Sequence, residues 1–230
     1  LNQIAFQNKL QEQRLRISRD LHDNIGAQLT FIISTLDTIK YGFKLQNEKL
    51  GEKIQSVSNF TSNTIFELRD TIWAMNKTQI TFEDLNARIT NFIEKAREST
   101  EKTNFNFEIS EGLIDKYNFT SIEGMNMYRI IQESVHNALK YAEAKNITVI
   151  IKEKDETITI SVEDDGNGFD LKNAPLGNGL NNPSDIMPAV KEQRAREIKG
   201  DVQIISSPQK GTKIILEVVK SSFQSEKKAS

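Results

Sequence analysis

Two long apolar stripes in the first 75 residues constrain the fold of this 230-residue chain more than any other feature. The first stripe follows helical steps of three or four residues, through Leu21, Ile25, Leu29, Ile32, Leu36, Ile39 and Phe43. The second has the same spacing, through Ile54, Val57, Thr61, Ile65, Leu68, Ile72 and Met75. Because this spacing places each stripe on one side of a helix, it predicts two long antiparallel helices joined by a turn in LQNEKLGEK.

A hairpin with one apolar face supplies only half of a four-helix core. The simplest way to bury that face is a symmetric dimer, in which two hairpins complete one bundle. The stripe stops near NKTQIT, so we place a domain boundary there. The predicted domains are the dimerising hairpin at 1–78 and a second domain at 79–220, and residues 221–230 are expected to form a disordered polar tail.

The second part of the chain alternates helix and strand patterns. Helices are predicted in TFEDLNARITNFIEKAREST, with Thr81 as N-cap and Asp84 in the first turn, and in SIEGMNMYRIIQESVHNALKYAEA. A third helix, VKEQRAREIKG, is expected to end at a Gly200 C-cap. Strands are predicted in NFNFEIS, in a hairpin across NITVIIKEKDETITISVEDDG, and in the pair DVQIISS and GTKIILEVV. This order predicts an α/β layered domain with a mixed sheet.

Composition excludes several classes of function. The net charge of −2 gives no global electrostatic case for binding nucleic acid or a membrane, and the absence of cysteine excludes disulfides and Cys-based zinc sites. No run approaches about 18 apolar residues, so we expect no membrane span in this chain, and we expect no signal peptide in it. The chain opens on Leu1 rather than Met, so we expect it to be part of a longer protein with an upstream sensor or anchor. The absence of cysteine fits a reducing compartment, and we expect a cytoplasmic location.

The stretch RISRDLHDNIGAQL places a histidine on the flank of the first apolar stripe. His22 follows Leu21 by one residue, about 100° round the helix, so we expect it to be exposed. Asp23 is placed to orient the imidazole or accept its proton, and Gly26 leaves room for another molecule. This pattern favours a nucleophilic histidine, and the alternative is an ordinary surface residue.

The stretch QESVHNALKYA places Glu133, Asn137, Lys140 and Tyr141 on one face of its predicted helix. Glu and Asn one turn apart are oxygen ligands that suit a hydrated Mg²⁺, and Lys140 is able to meet a phosphate. The alternative is a solvated helix face.

The sequence DDGNGF follows a predicted strand. Here Asp165 is able to accept a hydrogen bond from an exocyclic amine, while Gly166 and Gly168 allow the backbone to approach a planar base. The alternative is an ordinary Asp-Gly turn.

A second glycine-rich stretch, LGNGL, contains Gly177 and Gly179, whose loop N–H groups suit phosphates. Gly211 and Thr212 open the last predicted strand. Each feature alone is weak evidence for a nucleotide site, and an ordinary turn is the alternative interpretation of both.

Taken in order, these motifs resemble the cytoplasmic core of a two-component sensor histidine kinase. RISRDLHDNIGAQL resembles the phosphoacceptor box of the His-Asp subfamily, to which the nitrate sensors and the membrane-fluidity sensor belong, and ELRDTIWAMN resembles its second bundle helix. QESVHNALKYA, DDGNGF and GNGL resemble the Asn box and two glycine boxes of a Bergerat-type ATP-binding domain. The resemblance covers about residues 10–220 and implies a dimeric four-helix bundle followed by an α/β sandwich.

The resemblance also implies a role for each candidate residue. It implies that His22 accepts the γ-phosphoryl group of ATP, that Asp23 is the general base, and that an aspartate of a response regulator then receives the phosphoryl group. It implies a homodimer with ATP and Mg²⁺ as cofactors. The implied binding residues are Asn137 and Glu133 for Mg²⁺, Lys140 and Tyr141 for phosphates, Asp165, Gly166 and Gly168 for adenine, Gly177, Gly179 and Leu180 for a lid, and Thr212 for the nucleotide.

Two departures from the family pattern bear on activity. This subfamily commonly has, four residues after Asp23, a glutamine that positions water for dephosphorylating the regulator; that slot holds Ala27, and Gln28 comes one residue later. We therefore hypothesise weak or absent phosphatase activity. The segment 183–190 resembles an insertion whose two prolines forbid a continuous helix, and we expect it to affect lid closure.

The sequence therefore favours an active ATP-dependent histidine kinase. One alternative is a pseudokinase or dimeric signalling scaffold with weak turnover, which the segment after the last glycine box would explain. Another is an ATPase of the same nucleotide fold, of the chaperone or topoisomerase type, against which the His-Asp helix argues.

Overall fold

The computed structural model describes residues 2–42, 48–110, 112–113, 116–170, 187–220 and 224–225. The chain divides into two compact units, Leu1–Thr78 and Gln79–Ser230. Helices are the regular structure of the first unit, and the second combines helices with two sheets. No helix in the described ranges combines the length and the apolar character needed to cross a membrane.

The first unit contains both predicted helices. Its elements are α1 (Asn2–Asp20), a π-helical turn (Leu21–Ile25), α2 (Gly26–Gly42) and α3 (Glu48–Met75). Helix α2 packs against α3. No residue of α2 is buried, because α3 covers only one side of it.

The π-helical turn interrupts the first apolar stripe and was not predicted from the sequence. In it the Gly26 N–H donates to the Leu21 carbonyl, five residues back. The least exposed positions here are Leu21, Gly26 and Leu29, so one step across the turn is five residues long. Ile25, a predicted stripe residue, is 40% exposed within one chain. The turn therefore rotates the residues that follow it relative to a continuous α-helix.

The second unit follows the predicted order of helices and strands, with three short strands added. Its helices are α4 (Phe82–Glu98), α5 (Ser121–Lys140) and α6 (Met187–Glu197). Its strands are β1 (Gln79–Thr81), β2 (Asn104–Ile109), β3 (Tyr117–Thr120), β4 (Asn146–Lys154), β5 (Thr157–Asp164), β6 (Gly200–Ser206), β7 (Thr212–Val219) and β8 (Gln224–Ser225). Strands β1, β3 and β8 are too short for an alternating pattern to be visible in the sequence.

Capping boxes define the starts of two helices. Thr81 Oγ1 accepts from the Asp84 N–H at 3.0 Å, and Asp84 Oδ2 accepts from the Thr81 N–H at 3.2 Å, which confirms the predicted N-cap. Thr120 and Glu123 form the same pair of bonds at the start of α5, at 3.2 and 2.7 Å. Each box satisfies two backbone donors that a helix start leaves unpaired. Helix α5, which carries the predicted Mg²⁺ and phosphate residues, thus begins at a defined residue.

A mixed five-stranded sheet forms the core layer of the second unit. Its order is β2-β4-β5-β7-β6, with β2 parallel to β4 and the other neighbours antiparallel. Strands β1, β3 and β8 form a small antiparallel sheet. The inward side chains of the central strands are almost completely buried, among them Ile147, Val149, Ile151, Ile158, Ile160, Leu216 and Val218. Because α4, α5 and α6 pack on the strands, the predicted α/β layering is confirmed.

Two boundaries differ from the prediction. Helix α6 ends at Glu197, Lys199 takes the left-handed conformation (φ 53°), and Gly200 is the first residue of β6 and not a helix cap. The Lys199 N–H donates to the carbonyl three residues back, so the helix tightens before the strand begins. Gln224–Ser225, within the expected disordered tail, pair with β3, because the edge of a short strand offers unpaired backbone groups.

Candidate functional site

His22 and Asp23 lie side by side on the exposed π-helical turn of the first unit. His22 Nδ1 is 3.0 Å from Asp23 Oδ1, and the two side chains are 67% and 65% exposed. The carboxylate favours the tautomer with hydrogen on Nδ1, which leaves the Nε2 lone pair available as a nucleophile. A methyl group at Gly26 would meet nothing within 4 Å, so the space beside the turn is open, as the sequence suggested.

The last two turns of α5 carry Glu133, Asn137 and Lys140 at the spacing of one helix face, and Tyr141 is the C-cap. The Nδ2 atom of Asn137 is buried and has no hydrogen-bond partner among the described residues. Lys140 is exposed, with its Nζ 5.1 Å from the centre of the Tyr141 ring. A buried amide without a protein acceptor is suited to a ligand or a water that supplies one.

Glu133 and Asn137 fit a magnesium ion in combination with ligands from outside the protein. Within the described ranges, no three histidine, aspartate or glutamate side chains come together as a metal cage. In nucleotide sites, Mg²⁺ is commonly held by one or two protein oxygens together with phosphates and waters. The pair therefore suits a metal ion that arrives with a nucleotide.

Asp165, the predicted adenine residue, is hydrogen-bonded to residues at the start of β4. Its Oδ1 accepts from the Lys145 and Asn146 N–H groups, both at 2.8 Å, and its Oδ2 accepts from the Asn146 side chain at 2.6 Å. These bonds, led by that of the Asn146 backbone, lower the pKa of the Asp165 carboxyl. The carboxylate thus ties the loop to the start of β4, which argues against its predicted role as the reader of an exocyclic amine.

Asp164 is a better candidate for that role and was not singled out from the sequence. Its Oδ1 accepts from the Gly166 N–H at 2.9 Å. Burial raises the pKa of Asp164 above its ordinary 3.8, although the backbone N–H groups of Gly166 and Thr212 act to lower it. The signal in the sequence is alternation, because Ile160, Val162 and Asp164 share the inward face of β5 and only the last is polar.

Thr212 lies opposite Asp164, since the two residues pair across β5 and β7. Its side chain is buried, and its Oγ1 lies 3.0 Å from Ser206 Oγ. The sheet register therefore places the Asp164 carboxylate and the Thr212 hydroxyl on neighbouring strands at the end of β5, although the two residues are far apart in the sequence.

Gly166 and Gly168 are required by contacts within the protein. A Cβ at Gly166 would lie 2.3 Å from the carbonyl oxygen of Ala142. Gly168 has a left-handed backbone (φ 56°), and its Cβ would lie 2.1 Å from a carbonyl oxygen of the turn between β6 and β7. The Asn167 N–H donates to the Ala142 carbonyl at 2.8 Å. These contacts hold the loop after β5 against the end of α5, and a place for the glycines beside a base stays a prediction.

Gly177, Gly179 and Leu180 lie outside the described residues, so their roles in a lid stay predictions. The segment 183–190 is described only from Met187, where α6 begins. Pro188 is the second residue of that helix, a position at which the first turn tolerates proline.

Comparisons with known proteins find a match for each of the two units. Residues 13–80 match a family model described as histidine kinase, and residues 123–222 match the model for histidine kinase-, DNA gyrase B- and HSP90-like ATPases. The chain has the two-part core of a sensor histidine kinase. The two matches fall on the helical unit and the α/β unit of this histidine kinase core, so the latter is an ATP-binding domain.

Curated relatives of this histidine kinase core match nearly all of it. Sensor histidine kinase LiaS of Bacillus subtilis is 26% identical over 210 residues, which cover 91% of this chain and 54% of LiaS. A sensor-like histidine kinase of Chloroflexus aurantiacus is 29% identical over 208 residues, which cover 90% of this chain and 34% of that protein. The chain therefore spans only about half, or a third, of the length of these relatives.

Solved structures show the same fold. The histidine kinase domain of a blue-light activated histidine kinase from Erythrobacter litoralis EL346 has a TM-score of 0.51 at 12% identity, over 85% of this chain and 95% of that one. Acinetobacter baumannii histidine kinase AdeS has a TM-score of 0.52 at 13% identity, over 86% and 98%. The predicted fold class, a helical hairpin followed by an α/β ATP-binding domain, is confirmed.

Proposed function

We propose that this histidine kinase core transfers the γ-phosphoryl group of ATP to Nε2 of His22. The observation that carries the proposal is the 3.0 Å contact between His22 Nδ1 and Asp23 Oδ1 on an exposed turn. The carboxylate holds the Nδ1 proton and stabilises the positive charge that develops on the ring as Nε2 attacks phosphorus. The Nε2–P bond forms while the bond from the γ-phosphorus to the bridging oxygen breaks, and ADP leaves with that electron pair.

For the nucleotide we propose the end of α5 together with the ends of β5 and β7. The half-buried Asp164 carboxylate accepts from the exocyclic amine of adenine, and Thr212, its partner across the strands, completes the contact. Lys140 and Tyr141 lie at the exposed end of α5, where long side chains reach the phosphates. This assignment replaces Asp165 with Asp164, because the Asp165 carboxylate already accepts hydrogen bonds from Lys145 and Asn146 at the start of β4.

Asn137 and Glu133 are the residues that we propose to hold Mg²⁺ with the nucleotide. When bound, the ion supplies neutralisation of the charge that builds up on the phosphates. The Mg²⁺ ligand would be the side-chain oxygen of Asn137, while its buried amide nitrogen, which has no hydrogen-bond partner among the described residues, is left to donate to a phosphate or a water.

The partners that we propose are a second copy of this chain and a response regulator. Large apolar side chains on α2 and α3 are exposed in a single chain, namely Phe31, Ile32, Val57, Phe60 and Phe66. A second hairpin would cover them and complete a four-helix core. The exposed phosphohistidine would then pass its phosphoryl group to a receiver-domain aspartate, in the cytoplasm, where ATP and regulators are found.

The test is incubation of the full chain with γ-labelled ATP and Mg²⁺. His22→Gln is compared with the wild type and with His136→Gln, a matched control because the chain has only two histidines. We expect acid-labile, base-stable label in the wild type and in His136→Gln, and none in His22→Gln. Asp23→Asn should retain ATP binding and lose most of the labelling rate, because the imidazole loses its proton acceptor.

Two other outcomes would replace the proposal. ATP binding without label on His22 would favour the pseudokinase alternative. Steady phosphate release without a phosphoenzyme would favour a chaperone-type or topoisomerase-type ATPase. Nothing observed in the described residues supports either alternative.

A further inference from the structure

Lys191 is the largest fully buried polar side chain among the described residues of the α/β unit. It lies on α6, its side chain is 0% exposed, and its Nζ has no hydrogen-bond partner among the described residues. A buried ammonium normally has a carboxylate or several carbonyl oxygens around it, because its desolvation is otherwise uncompensated. A methionine of similar length would fill the same volume without that cost.

Two of the charged groups around Lys191 belong to the candidate nucleotide site. Glu133 on α5 and Asp164 at the end of β5 both act to raise its pKa, while Arg194, one turn along α6, acts to lower it. Burial outweighs these charges and lowers the pKa of Lys191 to about 8. Neither carboxylate is hydrogen-bonded to the ammonium, so Lys191 lies near them without forming an ion pair.

The position of Lys191 is fixed by its helix. Helix α6 packs against α5, and the Asn126 side chain of α5 donates to Glu197 Oε2 of α6 at 2.9 Å. Asn126 is itself buried, whereas Glu197 is exposed, so this bond is partly buried. The Lys191 ammonium is therefore held on the same side of the unit as Glu133.

We infer that Lys191 is a phosphate ligand of the nucleotide site, whose ammonium donates to a phosphate oxygen of bound ATP or ADP. The inference rests on the proposed function, since it concerns the same nucleotide. A phosphate supplies several negatively charged acceptors at once, which is the missing complement of a buried ammonium near a second cation, Arg194. Lys140, at the exposed end of α5, and Lys191, inside the unit, would then contact the phosphates from different directions.

The affinities of ADP and adenosine for the full chain separate this role from a packing role. We compare the wild type with Lys191→Met and with Lys102→Met, a control at an exposed lysine before β2. Loss of one charge-assisted hydrogen bond to a phosphate is expected to weaken ADP binding about tenfold or more. Adenosine affinity should change less than about twofold, because adenosine lacks the phosphate that Lys191 is inferred to bind. Unchanged ADP affinity in Lys191→Met, or an equal loss for both ligands, would overturn the inference.

A second measurement needs no variant, in case Lys191→Met does not fold. An ATP analogue with an acyl group on its terminal phosphate acylates lysines that contact the phosphates. We expect ATP-protected label on the peptide containing Lys191, and none on that containing Lys102. Label on Lys140 with none on Lys191 would overturn the inference.

The two proposals fail in different ways. Normal labelling of His22 together with unchanged ADP affinity in Lys191→Met would remove the inference and leave the kinase proposal intact. A wild-type chain that binds no ADP would overturn both.

Discussion

The two units of this kinase core bury their apolar side chains to very different extents. In α2 no residue is buried, although the helix is rich in leucine and isoleucine. In α5, a helix of similar length in the α/β unit, ten of twenty residues are buried. Both helices have apolar residues at helical spacing, so their different burial depends on which other elements of the chain pack against them.

The α/β unit covers its own helices with a sheet, whereas the hairpin has one neighbouring helix for each apolar face. A single-chain hairpin therefore leaves apolar area exposed that a stable helical core would bury. This contrast supports a second copy as the missing layer of the helical unit. It also separates the residues that we propose to hold the chain in a dimer from those that we propose to hold the nucleotide.

The largest effect is expected from a charged substitution on the exposed side of α2, which tests whether a second copy covers that side. Ile32→Glu should raise the dimer dissociation constant at least about 100-fold, because symmetry removes two buried isoleucines of about 1.5 kcal/mol each. Sedimentation equilibrium over a dilution series measures the change. Ile122→Glu, at an isoleucine that is 59% exposed on α5, is the control and should leave the dimer intact. An unchanged dissociation constant for Ile32→Glu would place the dimer contact elsewhere.

Glycine substitutions sharpen the contrast between the two units. Gly211→Ala should destabilise the α/β unit by about 2 kcal/mol or more, because its left-handed backbone (φ 72°) is strained for alanine. The new Cβ would also lie 1.9 Å from the Asp164 carbonyl oxygen. Gly51→Ala meets open space on α3 and should stabilise the helical unit by about 0.5–1 kcal/mol.

These opposite effects need probes that report one unit at a time. The fluorescence of Trp73, the only tryptophan, reports unfolding of α3. Hydrogen exchange of the β7 amides reports the sheet. Gly211→Ala variants whose β7 amides exchange at the wild-type rate would contradict the strain argument.

A smaller effect is expected on the rate at which the helical unit dephosphorylates a response regulator, without a change of fold. Ala27→Gln restores the glutamine slot that the family resemblance implies, one turn after Asp23, and should speed loss of phosphate from a phosphorylated response regulator severalfold. Ala27 is exposed, so stability should not change. Gln28→Ala is the matched control and should have no effect on the rate. Equal rates for the wild type and Ala27→Gln would mean that this position does not limit dephosphorylation.

The smallest effect is an acid-dependent contact in the α/β unit. Glu153 accepts from Lys116, Lys220 and Tyr117, and these bonds, led by that of Lys116, lower the pKa of its carboxyl from 4.5 to about 2. The contribution to stability is therefore complete above pH 4.5 and is lost as pH falls towards 2.

Glu153→Gln should remove this acid-dependent loss, which we expect to be below about 1 kcal/mol because the pairs are partly solvated. Denaturant unfolding at pH 6 and at about pH 3 measures it. Glu94→Gln, which breaks an exposed pair with Arg97, is the control. A Glu153→Gln variant that loses as much stability on acidification as the wild type would contradict the assignment.

Local chemistry in the sequence was sufficient for most of the fold. The helical stripes, the alternation in β4 and β5 and the Thr81 capping box each depend on residues within one or two turns of each other, so their spacing can be read directly. The same holds for His22 and Asp23, whose contact joins adjacent residues. The motif order was then enough to indicate a histidine kinase core.

Tertiary structure decided what depends on partners distant in the sequence. It favours Asp164 over Asp165 for the adenine contact, because the register of β5 with β7 places Asp164 on the inward face, whereas the Asp165 carboxylate accepts hydrogen bonds from the start of β4. It placed the Lys191 ammonium among the charges of α5 and β5, which no local pattern indicates. The π-helical turn beside His22 also escaped the sequence, since a one-residue widening alters a helix without changing its composition.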